Sequence, residues 1–316
     1  MIGRIVEIAS DGRHLALQRG FLVVKHKGEE VGRTPIDDIA ALIGNAHGLS
    51  YSNNLLVGLA ERGCPFVLCG SHHRPVGMLW PVDNHHRQAA RMDAQLRAPL
   101  PLRTRLWKQI VRGKISMQAA ALEVLALHSA PVRRMVARVR AGDVSNVEGQ
   151  AARVYWNLLF GGKFRRDRSG EGINSLLNYG YTVLRAMVAR HLIAAGLHPG
   201  IPIHHANEGN PMRLVDDLME PFRPLADLWV RKLVDQRIDE VTPDAKRTLG
   251  LLPTRNLLTE FGISPLSVVV ERCCVSLAQI YQGSRKELTL PDADVDAIRT
   301  VLDERESSEE DGEQGK

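Results

Sequence analysis

IPIHHANEGNPMRLVDDLMEPFRP, residues 201–224, sets a paired histidine, an Asn/Gly/Pro turn and the start of an acidic helix side by side. Asp217 and Glu220 are three apart, so on a helix they share one face. Asp216 and Glu220, four apart, can share it too. Helical side chains lean toward the N-terminus, which points these carboxylates back at the loop carrying His204 and His205. Imidazole with carboxylate suits a divalent ion of the magnesium or manganese kind, with phosphate oxygens or water in the open positions. The plainer reading is an acidic first turn that complements the helix dipole, with a carboxylate pair on a solvated face.

On both sides of this stretch the pattern is helical. Downstream, 225–238 continues as helix, and Pro221 bends the chain or starts a new helix. Residues 243–262 predict a helix, a turn at Pro253 and a second short helix. Residues 265–283 predict a buried helix closed by Gly283, and 291–302 a last weak one. Upstream, 174–195 is a long helix apolar on one side, and 103–127 repeats apolar residues near a 3.6 period, broken by Pro131. A short basic helix spans 131–142. Ser145 and Glu148 then fit the S-x-x-E capping box at the head of VEGQAARVYWNLLFG. Glu148 is thus either a cap or a third inward-facing carboxylate.

Between two of these helices lies FGGKFRRDRSGEG, 160–172. Lys163, Arg165, Arg166 and Arg168 suit phosphate contacts. The loop is not a Walker motif, because no G-K-[ST] follows. A flexible solvated loop explains it as well.

The first 80 residues change period. RIVEIA (4–9), HLALQ (14–18), FLVVKH (21–26), PFVLC (65–69) and PVGML (75–79) read as strands separated by Gly-containing turns. IDDIAALIG (36–44) joins them, and 53–62 reads as one short helix. No nucleophile, phosphate loop or metal-ligand spacing occurs here, so the segment reads as scaffold and association surface, with an edge strand able to pair with a second copy. The expected architecture is α+β: a β-rich domain over 1–80, a linker and first helix over 81–98 and an all-α catalytic domain over 99–302. His85 and His86 in the linker read as solvated.

The formal net charge is +5, and residues 303–316 hold seven acids and two bases. Removing that −5 leaves +10 on residues 1–302, a body suited to polyanions such as nucleic acid. The acidic tail, poor in apolar residues, is expected to be disordered. Cys64, Cys69, Cys273 and Cys274 show no C-x-x-C spacing and read as reduced thiols. With no secretory signal pattern and no apolar run of membrane-spanning length, a cytoplasmic location is expected, with no membrane partner.

Three pieces carry a family resemblance: VSNVEGQAARVYW (144–156), SLLNYGYTVLRAMV (175–188) and HHANEGNPMRLVDDLMEPFRP (204–224). In this order, behind a β-rich domain, they resemble the CRISPR-associated protein one family, the integrase and metal-dependent DNA endonuclease of CRISPR spacer acquisition. HHxNxxNP ahead of DDLMEPFRP looks most like its type II branch. The resemblance places the family's ligands on Glu148, His205 and Glu220, with Asp217 and His204 second in rank and Mg2+ or Mn2+ as cofactor. It implies a homodimer built through the β-rich domain, and two such dimers on CRISPR-associated protein two in a heterohexamer. It also implies double-stranded DNA (prespacer and repeat) as substrate and the type II effector nuclease as a further partner. The rival reading is a non-catalytic DNA-binding scaffold, with Glu148 a cap and Glu220 on a solvated face.

Overall fold

The structure is a computed structural model and describes residues 4–70, 75–82 and 85–302. The expected disorder of the 303–316 tail lies outside these residues. The N-terminal part holds strands β1 (Arg4–Ile8), β2 (Arg13–Gln18), β3 (Phe21–His26), β4 (Glu29–Pro35), β5 (Ile39–Gly44) and β6 (Ser50–Tyr51). Helix α1 (Asn53–Glu61) and strands β7 (Phe66–Cys69) and β8 (Pro75–Leu79) follow. They form two four-stranded sheets, ordered β1-β5-β7-β8 and β4-β3-β2-β6. β4 was not foreseen. Its EEVGRTP sequence is charged and mostly exposed, as suits an edge strand, and it reads as loop.

β5 lies between β1 and β7, parallel to both, and all six of its residues are buried. A strand covered on both faces loses the polar alternation and becomes a continuous apolar run. Leu42 packs with Leu15, Leu22, Leu55, Leu59 and Phe66 in the N-terminal core. Ala41 and Ile43, on the opposite pleat, pack with Val67 and Ala186.

Ala186 belongs to the helical part. This runs α2 (Gln88–Leu96), α3 (Leu100–Val124), α4 (Ala130–Met135), α5 (Val147–Phe160), α6 (Ile173–Ala194), α7 (Arg213–Met219), α8 (Arg223–Asp235) and α9 (Pro243–Gly250). A hairpin β9 (Asn256–Thr259)–β10 (Gly262–Pro265), α10 (Leu266–Tyr281) and α11 (Val295–Leu302) complete it. The second short helix expected after Pro253 is therefore a hairpin. NLLT and GISP are short apolar runs, and Gly262 at φ +89° makes the turn between them. The basic helix expected over 131–142 stops at Met135 and gives way to short 3-10 turns, with Gly142 and Asp143 both at positive φ. Pro221 falls in a 3-10 turn, Glu220–Phe222, between α7 and α8, and bends the chain as expected.

α6 also holds the two parts together by polar contacts. Tyr179 Oη donates to Glu7 Oε2 at 2.7 Å, while Glu7 Oε1 accepts from Asn45 at 2.6 Å and Lys246 at 2.8 Å. Arg190 donates to the carbonyls of Ile39 and Ala40 at 2.9 and 2.6 Å. Cys64, Cys273 and Cys274 are buried, Cys69 is partly so, and all four are free. Among the described residues no helix is long and apolar enough to cross a membrane.

Candidate functional site

Four helices and the segments that join them wall a polar pocket. α3 presents Trp107, Lys114 and Gln118, seven and eleven residues apart and so on one helical face. α5 presents Glu148, Ala152 and Trp156 at spacings of four. Tyr181 comes from α6, Glu220 from the turn after α7, Arg223 and Asp227 from α8, and His205 from the loop before α7. Glu148, His205 and Glu220 thus line one space although the two carboxylates are 72 positions apart in the chain.

Glu148 reaches that space because others do the capping. The first turn of α5 is capped by Asn146, at φ +49°, whose Oδ1 accepts from Gly149 N at 3.0 Å. The carboxylate of Asp143 accepts from Val147 N and Glu148 N at 3.0 and 2.9 Å. The Ser145–Glu148 capping box is therefore not what forms. With its own amide satisfied by Asp143, Glu148 turns its side chain onto Lys114. Glu220 is 5% exposed, which removes it from any solvated face. Its Oε1 lies 3.0 Å from Arg223 Nε and its Oε2 2.5 Å from Lys114 Nζ. Burial pushes its carboxyl up, and the Arg223 and Lys114 cations more than offset that and hold it at about 2.

Asp217 does something different from its neighbour. It is wholly buried and spends both oxygens on the loop. Oδ2 accepts from the amides of Ile203 and His204 at 2.7 and 3.1 Å; Oδ1 accepts from the amide of His205 at 3.2 Å and from its ring Nδ1 at 2.6 Å. A carboxylate only accepts, so Nδ1 carries the proton and Nε2 keeps its lone pair for the pocket. The Asp217 bond also favours the protonated ring and raises the His205 pKa. His204 is exposed and stacks on Trp107, ring centres 4.2 Å apart and 4° between planes. It is not in the pocket wall. Asp216 is paired with Arg185 at 2.9 Å and with Asn210, tying down the start of α7.

Of the basic loop, Arg166 and Arg168 line the pocket. Arg166 is held by Asn174 and Asn178 at 3.1 and 2.7 Å and lies against the Tyr181 ring, as does Arg223. Lys163 is exposed, and Arg165 turns back onto the carbonyls of Gly162 and Phe164, so neither forms the wall. Sequence reasoning missed Lys114, Trp107, Asp143 and Asp227. Asp227 accepts from Tyr155 and Tyr181 hydroxyls at 3.0 and 2.6 Å, and burial pushes it up to about 7 against those bonds. The available signal was a charge inside an apolar run: Lys114 in IVRGKISM, Asp227 in PLADLWV.

Two carboxylates, a neutral imidazole and open positions are the oxygen-and-nitrogen donor set of a hard divalent ion. Glu220 Oε2, buried and without a well-directed hydrogen bond, fits that use. Yet among the described residues no three such groups surround one ion-sized space, and the Lys114 ammonium stands between the carboxylates.

An N-terminal pair of sheets, a helical body and this pocket define a class of α+β proteins with a carboxylate–imidazole site. The family description "CRISPR associated protein Cas1" matches residues 6–248, and the chain belongs to that family. It is 36% identical over 290 residues to the CRISPR-associated endonuclease Cas1 of Neisseria meningitidis serogroup C (strain 8013), covering 90% of this chain and 95% of that one. The expected type II-like branch is consistent with this relative. A Cas1 endonuclease of Francisella tularensis subsp. novicida (strain U112) is 28% identical over 261 residues, with 76% and 81% covered. In fold the chain resembles a casposase bound to its integration product, with TM-score 0.77 at 17% identity over 95% of this chain and 98% of that one. It also resembles a chain of a Cas6-RT-Cas1–Cas2 complex, with TM-score 0.73 at 16% identity over 92% of this chain and 36% of that one.

Proposed function

We propose that the chain is a metal-dependent DNA integrase and endonuclease of CRISPR spacer acquisition, with Glu148, His205 and Glu220 holding Mg2+ or Mn2+. The observation that carries this reading is the meeting of those three side chains in one pocket with a cationic wall. In the reaction a prespacer 3′-hydroxyl attacks a repeat phosphodiester; its oxygen bonds phosphorus, its proton is lost, and the broken strand leaves as a 3′-alkoxide that takes up a proton. A divalent cation held by Glu148, His205 and Glu220 would supply Lewis-acid stabilisation of the charge that develops at the phosphate. The protein's own groups position the DNA. Arg166, fixed by two asparagines, and Arg168 at the rim offer guanidinium contacts to the strand backbone. Asp217 orients His205.

The same reading makes residues 1–80 the homodimer module, 81–98 a connector and 99–302 the catalytic domain. It takes CRISPR-associated protein two, double-stranded DNA and the type II effector nuclease as partners, and the cytoplasm as location. The Cas1–Cas2 complex among the structural relatives supports the first partner.

The test is strand transfer of a labelled prespacer into a repeat-containing plasmid with Mn2+, with and without chelator. Glu148→Gln is expected to abolish joining while the fold and DNA binding persist. Normal joining by this variant refutes the site; chelator-insensitive DNA binding with no joining by wild type favours the scaffold reading.

A further inference from the structure

The pocket already contains a cation. Lys114 rises from the middle of α3 among Ile110, Val111, Ile115 and Met117, all buried, and is itself 8% exposed. Its ammonium bonds Glu148 Oε1 and lies 2.5 Å from Glu220 Oε2. A lysine at a core-facing helical position is costly, since its charge is taken out of water. What offsets that cost is the pair of carboxylates, which would otherwise face each other across a medium of low dielectric. The arrangement is incomplete in one respect. Glu220 Oε2 is balanced in charge but receives no well-directed hydrogen bond. Such an oxygen keeps lone pairs free for a better-placed cation.

We propose that Lys114 is an internal counter-ion that holds the place of the divalent cation in the ion-free protein and yields it on binding, so that Lys114 sets the metal affinity of the site. The inference rests on the reading of Glu148, His205 and Glu220 as metal ligands. It accounts for the failure of these three to close around one ion-sized space: the ammonium stands between two of them, Glu148 and Glu220. The lysine stem has four rotatable carbons, so the ammonium can swing aside without any shift of α3. The direction open to it is the pocket, where a phosphate oxygen would receive it. A positive charge between the two carboxylates also offsets their mutual repulsion while no metal is bound.

The experiment is calorimetric titration of Mn2+ into wild type and Lys114→Met, with thermal melting of each ion-free and loaded. The methionine keeps the stem's bulk and removes the charge. Lys114→Met is expected to bind Mn2+ about tenfold tighter or more, to melt lower when ion-free, and to recover more stability from Mn2+ than wild type does. Unchanged or weaker binding overturns the inference. Should the variant not fold, reductive methylation of intact wild type, read by mass spectrometry, decides the matter. Methylation of Lys114 is expected to rise several-fold on Mn2+ saturation while that of exposed Lys163 stays constant; equal protection of Lys114 overturns the inference. Absence of Mn2+ binding by wild type overturns the metal-ligand reading and the inference with it, whereas binding that Lys114→Met leaves unchanged overturns the inference alone.

Discussion

Asp217→Asn tests the site through a residue that never enters the pocket. The carboxylate accepts four hydrogen bonds, two on each oxygen, from three backbone amides and the His205 ring. Asparagine supplies one acceptor oxygen and one NH2, so two donors lose their acceptor when the NH2 faces Ile203 and His204, and one when it faces His205 and the ring changes tautomer. A buried donor left without one costs about 1–3 kcal/mol, which puts the loss at roughly 1–6 kcal/mol. The chemistry changes as well. An NH2 facing Nδ1 makes that nitrogen an acceptor, moves the ring proton to Nε2 and removes the lone pair aimed at the pocket. Loss of a ligand's orienting partner costs about 10–100-fold in metal affinity. The assays are urea unfolding of the ion-free protein and calorimetric titration with Mn2+. Wild-type stability and wild-type Mn2+ affinity together would refute the argument that Asp217 orients His205.

Two further outcomes follow from the same geometry. Because a protonated ring cannot bind metal and the Asp217 bond raises the His205 pKa, metal-dependent joining should decline on acidification, and more metal should move the decline to lower pH. The sign is opposite for stability: the His205–Asp217 contribution is full below 6.5 and is lost as pH rises through the raised value. A pH series of initial joining rates beside a pH series of melts checks both limbs. Asp143→Ala should cost about 1–2 kcal/mol as a lost helix cap. It should also slow joining, since the amide of Glu148 loses its anchor; a melt and a rate measured together separate the two effects.

Much of this was legible in the sequence because helices announce themselves over many residues. The periods of α3, α6, α8 and α10 survive any uncertainty at their ends. β4 and the β9–β10 hairpin did not announce themselves, since a charged edge strand and two four-residue runs carry little pattern of their own. In the site, spacing nominated His204, His205, Asp217 and Glu220 without ranking their tasks. The tasks depend on which way the 201–212 loop folds over α7, and that is settled by four bonds to one carboxylate. Asn146 caps α5 where Ser145 was expected because the chain enters the helix through two left-handed residues, Asp143 and Asn146. Lys114 was hidden for the opposite reason. Its partners are 34 and 106 residues away, and no local pattern pairs them.

α6 touches every part of this arrangement in turn. Tyr179 grips β1 through Glu7, Tyr181 reaches the buried Asp227, Arg185 secures Asp216, and Ala186 and Arg190 return to β5. Within three turns one rod alternates between scaffold and chemistry. A body docked on the N-terminal sheets would therefore be registered against the pocket with little slack.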